Sequence, residues 1–492
     1  MPYEPVIGLE VHAQLLTTSK MFCACSAAYA EAPPNTTVCP VCLGMPGVLP
    51  VANRRAVEYT IMTGLALGCT IPPWAKFDRK NYPYPDLMKG YQISQYDAPL
   101  CLHGALTITR RDGSTRTIGI RRVHLEEDTA RLLHRSDPSG ENYSLIDVNR
   151  SGVPLIEIVS EPDLRSPEEA KLYLQKLRTV LRYLGVSTGN MEEGSFRCDA
   201  NVSVRPRGTS ELGAKVEIKN MNSFRAVERA LEYEIRRQIG LLERGERVVQ
   251  ETRGWVEEKG ITVGQRTKEH AHDYRYFPEP DLPPLVISRE WVEEIRARMP
   301  ELPDEKAARY RQELGLSAYD AFQLVSDRAM AEYFEEALRL AGTNGRAKGL
   351  ANWIINDINA VLNARGIGIE ALPVTPAQLN ELLDLIEQGT LSVKIAREVF
   401  VQMVEDWPVG QRDRPRAGVG PDLGRPGRSR SDRTGDRREP KGGGRLSGRQ
   451  DRCPRLSLRQ GDESNPRPGK PPGDPALARR EARRALMQAG SR

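Results

Sequence analysis

The sequence predicts an α+β protein in which a mixed body is followed by a helical domain and then by a disordered tail. Short segments in which apolar and polar residues alternate, such as residues 144–148, recur through the first 295 residues and predict strands. Residues 303–405 follow a helical period, with breaks at glycine-containing turns. Beyond residue 405 the chain is rich in glycine, proline and arginine, and it lacks a periodic apolar face that could be buried.

Domain boundaries follow from these changes of pattern. Prolines cluster between Pro280 and Pro303, where strand-like segments give way to helical ones. We therefore predict three segments, residues 1–295, 296–405 and 406–492. The last segment has a net charge of +11, and the rest of the chain has a net charge of −6, which together give the formal total of +5. A basic segment with few apolar residues is typical of an unfolded arm that attracts nucleic acid.

Two helices of the body have clear start signals. Ser166-Pro167-Glu168-Glu169 is typical of a capping box with proline at the first helical position. Apolar residues then recur with a helical period, and Gly185 is expected to end this helix. A second helical pattern covers roughly residues 223–242.

Four of the eight cysteines lie close together, as Cys23-Ala-Cys25 and Cys39-Pro-Val-Cys42. Two close thiol pairs joined by a short loop are typical of a tetrahedral zinc site. Two disulfides, or plain buried thiols, are the alternatives. The sequence has neither a secretory signal nor an apolar run long enough for a membrane span. We therefore expect a cytoplasmic protein without membrane contact, where clustered thiols favour metal over disulfides.

Carboxylates and histidines indicate a second site, of a different kind. Residues 6–15 alternate like a strand, so Glu10 and His12 share a face and either converge on one ligand or face solvent. Glu157 lies in a segment that is apolar on both sides, where a lone carboxylate is costly unless it is paired or binds a cation. The three carboxylates at 126–128 either join this site or form a solvated turn. Oxygen ligands with a histidine suit Mg²⁺ or Mn²⁺.

Two loops, residues 77–86 and 272–281, combine cations, aromatic rings and prolines. Such loops hold phosphate and stack a base, or they pack domains together. The chain has no phosphate loop of the Walker A type, no dinucleotide-binding G-x-G-x-x-G, no H-E-x-x-H and no G-x-S-x-G. Any nucleotide must therefore be held by a different kind of site.

Long segments from residue 1 to about residue 405 together resemble one protein family. They are residues 6–12, the four cysteines with residues 43–47, and residues 77–86, 91–95, 154–162, 197–201, 218–223 and 273–281. The family is that of the B subunits of bacterial and organellar glutamyl/aspartyl-tRNA amidotransferases. No insert resembling an aspartyl-tRNA synthetase interrupts the chain, so it resembles the bacterial type.

The resemblance implies a carbon–nitrogen ligase with glutamine as amido donor, acting on glutamate or aspartate mischarged on tRNA. In this family ATP phosphorylates the side-chain carboxylate, and ammonia then displaces phosphate, in a cradle-shaped α+β body that uses Mg²⁺. The chain has no amidase-type serine/lysine set and no glutaminase-like cysteine. The resemblance therefore implies a heterotrimer with an amidase A subunit, which supplies ammonia, and a small C subunit. The alternative is a tRNA-binding scaffold without chemistry of its own.

The resemblance also implies roles for individual residues. The Mg²⁺ and catalytic cluster is expected to comprise Glu10, His12, Glu127 and Glu157. Three further acidic residues are expected near it, namely Glu126, Asp199 and Glu217. Arg79 and Lys80 are expected to hold phosphate. Tyr82 and Lys219 are expected to line the nucleotide or the acceptor end of the tRNA. The four cysteines match the zinc site of many members.

The resemblance stops after Glu405, where family members continue with a small helical domain that contacts tRNA. Residues 453–465 can be back-translated and shifted by one base to give Ala-Leu-Gly-Phe-Leu-Ser-Gly-Arg-Ala-Met-Lys-Ala-Thr, with synonymous bases chosen to fit. The result is close to a segment near the end of family members. We therefore hypothesise that residues 406–492 are out of frame, through a frameshift or a sequencing error, and a true basic arm is the alternative.

Overall fold

The computed structural model describes residues 2–267, 274–342 and 344–405. By its internal contacts the chain divides into one compact unit that ends at Ala364 and a second that begins at Arg365. Within the described ranges, no helix is both long enough and apolar enough to cross a bilayer.

Two sequence predictions lie outside the described residues. One is the tail at 406–492, so its predicted disorder and its reading frame stay predictions. The other is the start of the second aromatic loop, at His272 and Asp273.

Strands and helices are mixed along the first part of the chain, and helices alone follow residue 288. The strands are β1 (Tyr3–Gln14), β2 (Trp74–Ala75), β3 (Asp78–Asn81), β4 (Tyr91–Ser94), β5 (Cys101–Thr109), β6 (Thr115–Glu127), β7 (Arg131–Ser136), β8 (Asn142–Asp147), β9 (Pro154–Ser160), β10 (Phe196–Pro206), β11 (Val216–Lys219), β12 (Glu251–Val256), β13 (Ile261–Thr267), β14 (Phe277–Pro278) and β15 (Leu285–Val286). The helices are α1 (Arg54–Ala66), α2 (Pro167–Tyr183), α3 (Phe224–Glu243), α4 (Arg289–Ala297), α5 (Pro303–Glu313), α6 (Ala318–Leu324), α7 (Arg328–Ala341), α8 (Ala347–Asn352), α9 (Asn359–Arg365), α10 (Pro376–Glu387) and α11 (Val393–Glu405).

An eight-stranded sheet dominates the first unit, in the order β13-β12-β11-β10-β1-β9-β6-β5. Neighbouring strands are antiparallel, apart from the parallel pair β11 and β12. A smaller sheet, β14-β3-β4, contains part of both aromatic loops, because Phe277 pairs with Arg79. β1 and β9 therefore lie in the interior of the large sheet, away from its edges.

One face of the large sheet packs into the hydrophobic core of the first unit. Leu9 on β1, Ile158 on β9 and Val123 on β6 are buried there, in the same apolar cluster as residues of α1, α2 and α3. Because successive residues of a strand point to opposite faces, the residues between them face away from this core. Those residues include Glu10 and His12, so the fold separates an apolar face from a polar one.

The structure confirms the predicted α+β fold and both predicted helices of the body. The Ser166 hydroxyl accepts a hydrogen bond from the Glu169 amide at 3.1 Å and begins α2, and Gly185 follows its end at a φ of +67°. Ser223 caps α3 in the same way. Residues 303–405 are helical as predicted, and the boundary placed at residue 295 stays a prediction, since the division by contacts falls after Ala364.

In the second unit, α10 and α11 bury apolar side chains, among them Leu379, Leu383 and Phe400. The Arg365 guanidinium donates a hydrogen bond to the Val404 carbonyl at 3.1 Å, near the end of α11. This contact joins the two ends of the described part of the unit.

Close packing of α1 on the sheet gives a stability prediction. A Cβ at Gly64 in α1 would lie 2.4 Å from the Cys101 Sγ on β5, so we expect Gly64→Ala to lower the free energy of unfolding. The expected loss is about 1–3 kcal/mol, although alanine is the better helix former. Gly349 in α8 is the control, because a Cβ there would meet no heavy atom within 4 Å.

Urea unfolding followed by circular dichroism measures both variants. Gly349→Ala is expected to keep or raise the stability, by up to about 1 kcal/mol. Equal stability of the two alanine variants would contradict the packing of α1 on β5.

Candidate active site and four-cysteine centre

A row of three side chains crosses the polar face of the large sheet. His12 on β1 pairs in register with Glu157 on β9, and Glu157 pairs in register with His124 on β6. Residues directly opposite in antiparallel strands have Cβ atoms about 4.5–5.5 Å apart. The register alone therefore brings one carboxylate between two imidazoles.

Glu126 completes this acidic cluster from the same strand as His124. Glu157 Oε2 lies 3.5 Å from His12 Nε2 and 3.3 Å from His124 Nε2, and Glu126 Oε1 lies 3.7 Å from His12 Nε2. One ligand atom each of His12, Glu126 and Glu157 lies within 4.8 Å of the others. We call these three residues the acidic cluster.

The charges of the cluster are strongly coupled. Burial disfavours ionisation of Glu157, but the charge of His124 and the hydrogen bond from His12 outweigh it and hold the pKa of Glu157 well below its usual value. Burial likewise disfavours the charged form of His12, but the hydrogen bond and charge of Glu157 outweigh it and raise the pKa of His12. Glu157 and His12 therefore each stabilise the charged form of the other.

Lys80 brings a further cation to the acidic cluster from β3. Burial would lower the pKa of Lys80, but the charge of Glu126, together with that of Glu157, outweighs it and raises that pKa. The Lys80 Nζ also lies 5.1 Å from the centre of the Tyr274 ring, and Tyr82 packs edge-on against the same ring at 5.6 Å. The two aromatic loops thus meet beside the cluster.

A second polar group extends along the same face of the sheet. Glu10 accepts a hydrogen bond from Asn201 Nδ2 at 2.9 Å. Burial, followed by the charges of Glu157, Asp199 and Glu217, raises the pKa of Glu10. Lys219 bridges Asp199 and Glu217, since its Nζ lies 2.7 Å from Asp199 Oδ2 and 3.3 Å from Glu217 Oε1. Glu10 therefore lies between the acidic cluster and this lysine bridge.

Glu127 and Arg79 lie apart from the acidic cluster. The Glu127 carboxylate pairs with Lys89 Nζ at 2.6 Å and accepts the Ile93 amide at 3.0 Å. The Arg79 guanidinium makes two hydrogen bonds to Glu279, of 2.7 and 2.8 Å. Both charged groups already have partners of opposite charge, so their proposed roles toward Mg²⁺ and phosphate stay predictions.

Strand alternation places Glu126 and Glu127 on opposite faces of β6. Residues 124 and 126 share one face of a strand, and 127 faces the other way, so a histidine at 124 predicts that Glu126 joins it. The sequence assigns no role of their own to His124 and to Asp128, the last carboxylate of the 126–128 segment. Asp128 is buried and accepts hydrogen bonds from Gln14 at 2.7 Å and Arg197 at 3.0 Å. This carboxylate holds two polar side chains at the rim of the site.

The four cysteines converge as the sequence predicts. Their sulfur atoms all lie within 4.8 Å of one another, and those of Cys39 and Cys42 are 3.9 Å apart. Zinc–sulfur bonds of about 2.3 Å in a tetrahedron place sulfurs about 3.8 Å apart, so the donor set fits a zinc ion. None of the cysteines in the described ranges forms a disulfide.

The thiols of this centre interact strongly with each other. Hydrogen bonds from Cys23 and from the Cys39 amide, followed by the charge of Lys20, lower the pKa of Cys42 to about 4, although burial opposes this. The hydrogen bond between Cys23 and Cys42 raises the pKa of Cys23, and burial raises that of Cys25 to about 11. Without a metal, one thiolate is therefore stabilised at the expense of its neighbours.

Comparisons with known proteins agree with the resemblance noted above. A family model described as "GatB/GatE catalytic domain" matches residues 5–293, and one described as "GatB domain" matches residues 332–409. Three similar relatives are each named as the B subunit of an aspartyl/glutamyl-tRNA(Asn/Gln) amidotransferase. That of Thermomicrobium roseum is 62% identical over 400 residues, which cover 81% of this chain and 82% of the relative.

The other two relatives are similar to the same extent. The protein of Dehalococcoides mccartyi strain CBDB1 is 60% identical over 409 residues, covering 82% of this chain and 83% of the relative. That of Thermodesulfovibrio yellowstonii is 59% identical over 403 residues, with the same coverage. With the domain match to residues 5–293, this identity and coverage show that the chain belongs to the family of aspartyl/glutamyl-tRNA(Asn/Gln) amidotransferase B subunits.

Proposed function

We propose that this chain uses ATP to activate the side-chain carboxylate of glutamate on tRNA(Gln), of aspartate on tRNA(Asn), or of both, and converts it to the amide. The observation that supports the proposal is the acidic cluster, buried beside Lys80 on the polar face of an otherwise packed sheet. The names of the relatives specify the same pair of aminoacyl-tRNAs. The complex would be a carbon–nitrogen ligase with glutamine as amido donor.

The reaction has two steps, because a free carboxylate has no good leaving group. First, a carboxylate oxygen of the substrate attacks the γ-phosphorus of ATP, the bond to the bridging oxygen breaks, and ADP leaves. Then the lone pair of ammonia attacks the acyl carbon, the carbon–oxygen bond to phosphate breaks, and the nitrogen loses a proton. The site must therefore balance phosphate charge in the first step and accept a proton in the second.

The acidic cluster fits a divalent cation. It offers two carboxylates and an imidazole, and Glu126 Oε2 is buried without a hydrogen-bond partner in the described part of the chain. This oxygen lies 3.9 Å from His124 Nε2, too far for a hydrogen bond, and a buried carboxylate oxygen without a hydrogen bond favours a cation ligand. His12, Glu126 and Glu157 would hold Mg²⁺, with Glu10 next to them. When bound, Mg²⁺ would neutralise charge on the phosphate oxygens.

The protein side chains supply the remaining functions. Lys80 would donate hydrogen bonds to phosphate oxygens beside the cluster, with Tyr82 next to the nucleotide. Glu10 would accept the proton from the attacking nitrogen, because its raised pKa makes it a better base than an ordinary carboxylate. Asn201 donates to its Oε1, which leaves Oε2 for this proton. Lys219, held by Asp199, would face the acceptor end of the tRNA.

Ammonia would come from glutamine hydrolysed in a partner, the amidase A subunit, and a small C subunit would complete a heterotrimer in the cytoplasm. The absence of a glutaminase-type nucleophile from the sequence supports this division of labour. The four cysteines would hold one zinc ion with a structural role, since four thiolates leave no position open for substrate.

The proposal predicts the effect of two neutral substitutions. Glu126→Gln and Glu157→Gln each remove a charge from the acidic cluster, so tRNA-dependent ATP hydrolysis by the assembled complex should fall at least about a hundredfold. Glutaminase activity of the partner should partly survive. Glu4→Gln is the matched control, since Glu4 lies on β1 but pairs with Arg205, and it should leave ATP hydrolysis unchanged.

The same assay distinguishes the alternatives. Glu127→Gln tests the assignment made from sequence, because Glu127 pairs with Lys89 outside the cluster. Unchanged ATP hydrolysis in Glu126→Gln and Glu157→Gln would remove the cluster from the mechanism. A wild-type complex without tRNA-dependent ATP hydrolysis would instead favour a scaffold that only binds tRNA.

Elemental analysis tests the zinc assignment. We expect about one zinc per chain, and Cys39→Ser should lower both the zinc content and the melting temperature. Cys69→Ala is the control, because Cys69 is buried away from the four-cysteine centre and should leave the zinc content unchanged. A purified chain that is free of metal yet equally stable would contradict a structural zinc site.

A further inference from the structure

Lys20 is a buried lysine without a hydrogen-bond partner. Its side chain is 1% exposed, and in the described part of the chain its Nζ makes no hydrogen bond and no ion pair within 4 Å. An isolated buried ammonium is costly, so such groups are normally paired or compensated by a nearby negative charge. Nothing in the proposed reaction uses this residue.

The side chain of Lys20 lies against the four-cysteine centre. A Cβ placed on Gly152 would lie 3.4 Å from Lys20 Cδ and 3.7 Å from Cys42 Cβ, so both side chains approach the same glycine. Gly152 has a φ of +84°, a conformation that glycine adopts without strain. The Lys20 amide also donates to the Cys25 carbonyl at 2.9 Å, which ties its backbone to the cysteine loop.

The carboxylates beside the centre already pair with other cations. A small cavity of about 30 Å³ adjoins the centre, and its lining includes Cys23, Cys42, Glu127 and Asp281. Glu127 pairs with Lys89 at 2.6 Å, and Asp281 pairs with Arg79 at 3.2 Å. The negative charge on which Lys20 acts is therefore that of the cysteine sulfurs.

We propose that Lys20 is the counter-charge of the metal-loaded four-cysteine centre. Four thiolates and one divalent cation have a net charge of −2, and an ammonium buried beside Cys42 offsets half of it. This inference rests on the proposal that the four cysteines bind a divalent metal. Residues behind the ligands commonly tune metal affinity in this way.

Lys20→Met separates this role from simple packing. Methionine is unbranched and apolar, so it fills much of the same space and removes only the charge. In the metal-free protein the charge of Lys20 is balanced by at most the thiolate of Cys42, so its loss should change the melting temperature much less than in the zinc-loaded protein. In the loaded protein it loses the counter-charge, so its zinc affinity should fall at least tenfold.

The experiment uses the full-length chain, stripped of metal under reducing conditions and titrated with zinc against a chromophoric chelator. Titration with cobalt gives a second readout, because a tetrathiolate site has a distinctive charge-transfer absorption. Lys171→Met is the control, since Lys171 pairs with Glu228 away from the centre, and it should keep the wild-type zinc affinity. Lys20→Gln is a second neutral variant. If the methionine variant does not fold, the zinc affinity of Lys20→Gln is measured in its place, and the same fall is expected.

Three results would overturn the inference. If the wild type binds zinc and the neutral variants bind it equally well, the counter-charge role fails and the zinc site stands. If the variants are destabilised equally with and without metal, Lys20 acts through packing. A wild-type chain that binds neither zinc nor cobalt would instead refute the metal proposal, and the inference with it.

Discussion

The carboxylate of Glu157 is the constraint on which the polar face of the sheet depends. It is buried on an interior strand, and the strands on both sides each place a histidine within 3.5 Å of it. Removing one partner from a buried ion pair costs about 3–5 kcal/mol. The register of β1, β9 and β6 therefore cannot slip without leaving this charge unbalanced. A slip of one residue would also move Leu9 and Ile158 out of the core.

This constraint also explains why the site resembles a metal centre. His12 and Glu157 stabilise the charges of each other, but Glu126 Oε2 has no hydrogen-bond partner in the described ranges, and burial, followed by the charges of acidic neighbours, raises the pKa of Glu10. The cluster therefore offers a buried carboxylate oxygen that its own side chains do not hydrogen-bond. A cation and phosphate groups held by Lys80 would complete it. The four-cysteine centre shows the reverse arrangement, since the amine of Lys20 is buried near it without a hydrogen-bond partner in the described part of the chain.

Local sequence patterns were enough to predict the elements that have strong local signals. The alternation of residues 6–15, the cap at Ser166 and the spacing of the cysteines each depend on neighbours in sequence, and the structure confirms the strand, the helix and the convergence of the sulfurs. The resemblance places Glu127 ahead of Glu126, and strand alternation assigns each of them to a face only once β6 is known to reach residue 127. The engagement of Arg79 by Glu279, 200 residues away, depends on tertiary structure, which no local pattern encodes.

The central claim is that this chain activates a carboxylate through an acyl phosphate, and oxygen transfer tests it most directly. Glutamate labelled with ¹⁸O in its side-chain carboxylate would be attached to tRNA(Gln) and given to the assembled complex with ATP and glutamine, and the released phosphate analysed by mass spectrometry. The account predicts one ¹⁸O atom in the phosphate for each amide formed, because the carboxylate oxygen that attacks ATP leaves with phosphate. Amide formed at the normal rate with unlabelled phosphate would contradict it.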